Sequence, residues 1–341
     1  MNKSGSGHYL ITGGAGFIGS TLIPHLLMRG DWVTVIDRLL YGGEGLLAHR
    51  DHPRFELVAL DLCDPDIPRT IEQRCAATGV PEIRALIHLG AAVGHQVCQA
   101  LGRDDTFRVN VEGAERMYHL AHEMGAQRFI FASTCSVYGR TDSRVLDEGG
   151  DLNPVSLYGQ SKVEAEKALR LMAGTGSCEL MIFRLASVFG LSPRMRFDVL
   201  VNQLVQQAHQ QGRVVLFHPD HWRPFVHIQD VVQALLTAME APASDQGPLM
   251  MNLGSEINCV TKVELAEELS KVIPNLPIET SEESLVPPDQ DVRVTFSRLE
   301  NILGFRPART LRQGIQEVLS ALRQGWFVNQ PGRYQNRLLA S

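Results

Sequence analysis

His8-Tyr-Leu-Ile-Thr-Gly-Gly-Ala-Gly-Phe-Ile-Gly-Ser20 decides how the rest of the chain is read. Tyr9 to Thr12 reads as a short buried strand, the glycines as a turn, and the residues from about Gly16 as the start of a helix. Gly13, Gly16 and Gly19 fit GxxGxxG, while Gly14, Gly16 and Gly19 fit GxGxxG. Both patterns answer one physical demand: a tight turn, a close backbone approach to a pyrophosphate, and a helix packed close to its strand. Phosphates then meet the unpaired N–H groups around Phe17, Ile18 and Gly19, where the helix dipole favours negative charge. Trp32-Val-Thr-Val-Ile36 follows as a second strand and ends on Asp37, whose carboxylate can accept hydrogen bonds from a ribose diol. A carboxylate there repels a 2′-phosphate, so Asp37 favours NAD over NADP, while Arg38 beside it pulls the other way.

The chain has 341 residues, 44% hydrophobic and 21% charged, which suits one large α/β domain with a smaller companion. A net charge of −6 offers no basic footprint for nucleic acid or an anionic membrane. An anionic ligand must therefore be held by local groups. The six cysteines are scattered with no CxxC pair, and Met1 to Gly7 is polar and too short for targeting. Reduced thiols in a cytoplasmic protein are expected. No apolar run reaches membrane-spanning length. His49 with His52, and His218 with His221, have metal-like spacing but no accompanying carboxylates or thiols, so no metal is expected.

Strand and helix alternate from the glycine turn onward. Residues 55–60 are strand-like and end at Asp61-Leu62; 67–78 read as a helix closed by Gly79 and Pro81. Residues 85–89 form another buried strand, followed by the small residues Gly90, Ala91 and Ala92, which let a flat ligand lie against the strand end. Residues 104–124 carry a helical stripe of Phe107, Val111, Ala114, Tyr118 and Ala121, stopped by Gly125. A strand at 127–132, a helix at 157–172 and a strand at 179–183 complete the series. Such alternation argues for a Rossmann-like, doubly wound parallel sheet with ligands at the carboxyl ends of its strands. The glycine turn, Asp37, Asp61, Leu89-Gly90-Ala91 and Ser133-Thr134 all fall at such ends.

Beyond Arg184 the alternation loosens. Residues 191–198 form a cationic loop with Arg194 and Arg196, and 197–211 read as a helix. Residues 223–230 lead into a helix ending at Met239, and 241–248 read as a linker. A strand near Met250 precedes a helix over 261–272, whose Thr261 and Glu264 make a capping box. Pro287-Pro288 marks an exposed loop, and the last helix spans 311–323. The expected division is a dinucleotide-binding domain of residues 1–183 plus about 225–248. A smaller α/β substrate domain takes 184–224 and 249–330, with 331–341 as a tail.

Tyr158-Gly-Gln-Ser-Lys162 is the second organising feature. Its i, i+4 spacing sets phenol and ammonium on one helix face, about one turn apart. A cation that close is expected to lower the tyrosine from its usual value of about 10. A phenol so tuned can take a proton from a hydroxyl while hydride leaves the same carbon. Tyr-x-x-x-Lys alone is common by chance; its weight comes from following a dinucleotide fingerprint.

These residues resemble the extended short-chain dehydrogenases/reductases, in particular the NAD-dependent nucleotide-sugar epimerase/dehydratase family. The matching pieces are Thr12-Gly-Gly-Ala-Gly-Phe-Ile-Gly19, Asp37, Asp61-Leu62, His88-Leu-Gly-Ala91, Asn110-Val111, Ser133-Thr-Cys-Ser-Val-Tyr-Gly139, Tyr158-Gly-Gln-Ser-Lys162, Arg184, Arg223-Pro-Phe-Val-His-Ile-Gln-Asp230 and Asp291-Val-Arg293. They run in family order over nearly the whole chain. The resemblance implies that Tyr158 is the base, that Lys162 holds the nicotinamide ribose and tunes Tyr158, and that Thr134 bonds the sugar hydroxyl being oxidised. It further implies that Asn110 braces the cofactor site, and that Arg223 and Arg293 grip a nucleotide diphosphate, a role suited to guanidinium forks. A homodimer is implied too, pairing the 104–124 helix and the helix carrying Tyr158 across a two-fold axis.

Three departures shape the functional expectation. Dehydratases of the family, and its sugar-acid decarboxylases, tend to carry a carboxylate within two residues of the Ser/Thr, where this chain has Cys135 and Ser136. Elimination needs that acid/base, so its loss points to C4 epimerisation through a transient 4-keto sugar. The family's substrate-binding Asn appears as Ser187, and its His-Leu-Ala-Ala as His88-Leu-Gly-Ala91. Dehydration, decarboxylation and net reduction stand as alternatives, as does a non-catalytic dinucleotide sensor. A sensor would be expected to lose Tyr158 or Lys162, and both are kept. Bland readings compete at single residues: Cys135 can simply pack, Asp61 can cap a helix, Arg194 and Arg196 can be surface charges, and Arg184 can form a structural ion pair.

Overall fold

Apolar runs of strand length, covered by helices on both faces, build a seven-stranded sheet at the centre of the molecule. The computed structural model describes residues 6–141, 144–173, 178–244, 247–281, 291–327 and 334–337. The Pro287-Pro288 loop and most of the segments 1–7 and 331–341 lie outside them. In chain order the strands are β1 (His8–Thr12), β2 (Trp32–Ile36), β3 (Phe55–Val58), β4 (Ile83–His88), β5 (Arg128–Thr134), β6 (Glu179–Leu185), β7 (Ser187–Phe189), β8 (Val214–Phe217), β9 (Trp222–His227), β10 (Leu249–Leu253), β11 (Cys259–Thr261) and β12 (Ile278–Ser281). The central sheet has the order β10-β6-β5-β4-β1-β2-β3, and its neighbours pair in parallel. The chain winds outward from β1 to β3, then returns to β4 on the other side of β1. Ligand-binding crevices open at such a switch point, outside the carboxyl ends of the strands.

The helices are α1 (Phe17–Met28), α2 (Ile67–Thr78), α3 (His95–Leu101), α4 (Arg103–Phe107), α5 (Gly113–Glu123), α6 (Leu157–Ala173), α7 (Leu200–Gln211), α8 (Ile228–Glu240), α9 (Lys262–Val272), α10 (Ser297–Leu303) and α11 (Leu311–Arg323). One face of the sheet buries Ile11, Val33 and Val35 with Leu22, Ile23 and Leu26 of α1 and Val231 and Leu235 of α8. The other packs Leu10, Leu86 and Phe129 against Ile71 of α2, Met117 and Tyr118 of α5, and Ala165 and Leu169 of α6. Because both faces are covered, the strands read as unbroken apolar runs and not as alternating ones. A third cluster, outside the central sheet, joins α7, α9 and α11 through Val205, Leu265, Ile315 and Val318. It carries a three-stranded sheet, β11-β9-β7, and the parallel pair β12-β8.

Four expectations need correction. The 104–124 helix is not continuous α: Arg108–Glu112 is a π-helical turn between α4 and α5. Leu249–Leu253, assigned to the substrate side, is the edge strand of the central sheet, beside β6. Arg184 lies inside β6, not after it. The 197–211 helix begins at Leu200, because Phe197 turns its ring into the third cluster and donates its N–H to the Tyr334 carbonyl at 2.7 Å. The capping box at Thr261 and Glu264 forms as expected.

Candidate active site

The glycine turn joins β1 to α1 at the switch point. Gly13 has a φ of +67°, and a Cβ there would lie 2.7 Å from the Gly90 backbone. A Cβ on Gly19 would lie 2.5 Å from the Gly14 Cα, so helix and turn touch backbone to backbone. Gly16 is the N-cap residue of α1 and brings no side-chain cap to it. The first N–H groups of a helix have no intrahelical partner, so those of Phe17, Ile18 and Gly19 present an anion site. Asp37, at the end of β2, accepts from the Ala15 N–H at 3.0 Å and the Leu39 N–H at 2.8 Å. Each carboxylate oxygen keeps lone-pair capacity for a further donor. Burial pushes this carboxyl above its ordinary value, and Arg194 and Arg38 oppose the rise. Arg38 itself is ion-paired with Asp61 at 2.9 Å. Asp61 caps no helix: its other oxygen takes the Cys63 N–H at 3.0 Å in a two-residue turn after β3.

The strand end at Leu89, Gly90 and Ala91 lies against this turn. The Leu89 N–H bonds the Thr12 carbonyl at 3.1 Å, and the Gly90 N–H bonds Thr12 Oγ1 at 3.1 Å. A Cβ on Gly90 would stand 2.9 Å from Leu62 Cδ1, the tip of a side chain that can shift. His88 shares a 2.8 Å bond with Thr12 Oγ1 and stacks between Phe129 and Phe131. Burial pushes it down to about 3, so it is neutral. Asn110, in the π turn, accepts from the Ala92 N–H at 2.7 Å and donates to the Ala92 carbonyl at 3.0 Å and Ser161 Oγ at 2.9 Å. It ties this strand end to α6, between Tyr158 and Lys162.

Thr134 ends β5, and its hydroxyl lies close enough to the Tyr158 phenol to act on it. Its Oγ1 also meets Ser136 Oγ at 3.1 Å. The expected acidification of Tyr158 by Lys162 is absent from the chain's own field. Burial pushes the phenol above its ordinary value and Cys98 adds to the rise; Arg196 and the Thr134 hydroxyl oppose it. Lys162 faces elsewhere: its Nζ donates to the Ala132 carbonyl at 2.9 Å and lies 4.5 Å from the centre of the Phe131 ring. Burial pulls this ammonium down to about 8, against opposing contributions from Cys98 and Glu166. An i, i+4 spacing thus set the two groups on one helix face, while the bond that holds Lys162 runs to β5. Cys135 packs: its thiol contacts the Arg184 carbonyl at 3.3 Å and burial pushes it up.

The expected substrate residues are spread over β7, β9 and the segments that follow β7 and precede α10. Ser187 opens β7. Arg194 is buried, donates to the Met195 carbonyl at 3.0 Å and lies 5.0 Å from the Tyr41 ring centre. Its N–H bonds Ser20 Oγ of α1 at 3.2 Å, and its charge opposes the rise at Asp37. Arg196 is paired with Asp198 at 2.6 Å and is the cation that Tyr158 feels. Arg223 lies in β9, and Arg293 stacks on its neighbour Trp222, 4.1 Å from the ring centre. Arg184 forms a buried ion pair with Glu166 at 2.7 Å, the structural reading. Glu166 escaped the sequence reading, although a charge at the i+4 position after Lys162, within a buried stripe, was a visible signal. Among the described residues, no cluster of three or more His, Cys, Asp or Glu could hold a metal, and no helix is long and apolar enough to cross a membrane.

Residues 9–254 match the NAD dependent epimerase/dehydratase family, and the chain belongs to it. NAD is the cofactor of that family, which comprises nucleotide-sugar epimerases, decarboxylases and dehydratases. The chain is similar to UDP-glucuronic acid decarboxylase 1 of Arabidopsis thaliana, 31% identical over 325 residues covering 92% of this chain and 69% of the plant protein. It is also similar to UDP-glucose 4-epimerase of Mycolicibacterium smegmatis, 28% identical over 325 residues, 92% of this chain and 98% of that one. MoeE5, solved with UDP-glucuronic acid and NAD, superposes with a TM-score of 0.76 at 25% identity, covering 94% of this chain and 100% of that one.

Proposed function

We propose that this protein is a nucleotide-sugar 4-epimerase. The observation that carries the reading is the placing of the Tyr158 phenol beside the Thr134 hydroxyl at the carboxyl end of β5, followed by Cys135 and Ser136 where elimination needs a carboxylate. Gly13, Gly16, Phe17, Ile18 and Gly19 would hold the dinucleotide's phosphates, and Asp37 its adenosine ribose. Arg38 is already compensated by Asp61, which leaves Asp37 to decide for NAD over NADP. Asp61, Leu62, Leu89, Gly90, Ala91 and Asn110 would line the rest of the cofactor groove, with Lys162 at the nicotinamide ribose. When bound, NAD supplies the acceptor for a hydride leaving C4. Thr134 orients the C4 hydroxyl and Tyr158 takes its proton, then returns it when the sugar presents its other face.

Ser187, Arg194, Arg196, Arg223 and Arg293 would form the nucleotide-sugar side, with the third cluster as the smaller substrate domain. Decarboxylation is the second reading, favoured by the similarity to plant UDP-glucuronic acid decarboxylases. It shares the first oxidation and differs in what leaves the sugar. Incubation with UDP-, GDP-, CDP- and dTDP-sugars, followed by NMR and mass spectrometry, separates the outcomes. Inversion at C4 with unchanged mass supports the proposal; loss of water or carbon dioxide rejects it. A homodimer through α5 and α6 is part of the proposal, and only monomer in light scattering would remove it.

A further inference from the structure

Behind Thr134 and Lys162 lies a buried ionic network that the redox pair itself does not use. Glu166 follows Lys162 by four residues on α6, and its side chain is 3% exposed, that of Arg184 2%. Arg184 Nε meets both Glu166 oxygens, at 3.1 and 3.2 Å, and Nη2 adds a 2.7 Å bond. Ser133, the neighbour of Thr134, donates its hydroxyl to the same carboxylate. Arg184 Nη1 also donates to the Tyr138 hydroxyl at 2.9 Å and the Glu148 carbonyl at 3.1 Å, and Tyr138 donates to Asn252 of β10 at 2.7 Å. The network therefore pins α6 to β5, β6 and β10 at one point. A buried ion pair adds little to stability relative to apolar residues of similar size. A guanidinium fork does impose planar geometry on its carboxylate, and a carboxylate one turn from an ammonium favours its charged form.

We propose that Glu166 and Arg184 are positioning residues of the redox site: their fork locks the helix bearing Tyr158 and Lys162 in register with the strand end bearing Thr134, and Glu166 keeps the Lys162 ammonium charged. This rests on the reading of Thr134, Tyr158 and Lys162 as the reacting groups. The titratable groups facing Lys162 are Cys98 of α3, His88 at the end of β4 and Glu166 on its own helix; β5 presents the Phe131 ring and the Ala132 carbonyl. Among them the acid partner is the Glu166 carboxylate, ion-paired with Arg184, since burial holds the Cys98 thiol protonated, pushed up to about 11. Burial pulls Lys162 the other way, so removing the carboxylate lowers the pH at which the ammonium is lost.

The test compares Glu166→Gln, Glu166→Asp and the paired variant Glu166→Gln/Arg184→Met, which strands no charge if the single variants fold poorly. Calorimetry with NAD from pH 6 to 10 reads the charge on Lys162 without turnover, and kcat and KM are taken for whichever sugar nucleotide is converted. In Glu166→Gln and in the paired variant, the loss of NAD affinity at high pH should begin about one pH unit lower than in the wild type. Their kcat should fall about tenfold or more, with KM changed less than about twofold. Glu166→Asp should keep the wild-type pH limb while losing kcat. A folded paired variant with the wild-type limb and wild-type kcat would overturn the proposal. Lys162→Met and Tyr158→Phe run alongside. If these two retain turnover, the reading of the reacting groups fails and the proposal with it; if they lose it while the Glu166 variants keep the wild-type limb, the positioning role alone fails.

Discussion

At Tyr158 the structure sets a problem for the proposed chemistry, because burial holds the proton on a phenol that the proposal requires to accept one. Replacing it by phenylalanine should cut kcat by about 10²–10⁴-fold, the usual worth of a general acid–base group. Urea unfolding should change little, which separates a lost proton carrier from a damaged fold. Gly19 makes the opposite case, where shape alone decides. A Cβ there would meet the Gly14 Cα at 2.5 Å and the Gly13 carbonyl oxygen at 2.7 Å, and backbone cannot give way as a side chain can. Gly19→Ala should therefore cost about 1–3 kcal/mol in urea unfolding and abolish retention of NAD through purification. Both residues were legible in the sequence, because a turn that admits only glycine and a one-turn Tyr–Lys spacing are local patterns. Glu166 and Cys98 were not, since their partners on β6 and around α6 arrive only through the sheet. The direction of the Tyr158 shift was misread for a related reason: spacing fixes which face a side chain leaves from, not which groups bury it.

The elements followed the periodicity closely where periodicity was the whole signal, as in α2 and α11, whose bounds fall where the apolar stripe and the terminal glycine or capping box put them. The π turn at Arg108–Glu112 escaped because one extra residue per turn barely disturbs a stripe that resumes at Ala114 and Tyr118. Its content is clear in the structure: it directs Asn110 at the Ala92 peptide and at Ser161. Asn110→Ala would leave the Ala92 N–H and carbonyl without that partner, at a cost of about 1–3 kcal/mol in urea unfolding. With α6 no longer tied to the end of β4, kcat should fall further than stability explains. If kcat stays at the wild-type level while stability falls, the bracing is structural only.

Taken whole, the molecule buries two histidines in the neutral form on one strand and its neighbour. His88 is pushed down to about 3 and His8 is lowered as well, both mainly by burial. The unfolded chain binds protons at these groups below about pH 6.5, and the folded chain does not. Stability should therefore be nearly flat around pH 7 and fall as pH drops from 6.5 toward 3, by up to about 1.4 kcal/mol per pH unit from His88, with His8 adding to the fall below 6.5. Urea midpoints between pH 8 and 4 check this, and His88→Leu should flatten the slope. A parallel, doubly wound sheet was legible because βα alternation permits few windings, whereas the place of Leu249–Leu253 was not, since a strand reached across a separate layer carries no local mark of the sheet it joins. The most direct measurement of the proposed chemistry is turnover of a sugar nucleotide deuterated at C4, with the product read by NMR. Inversion at C4 with the deuterium still on that carbon is expected, and none of it with Tyr158→Phe. A product that has lost its label to water, or has shed water or carbon dioxide, would contradict the epimerase reading.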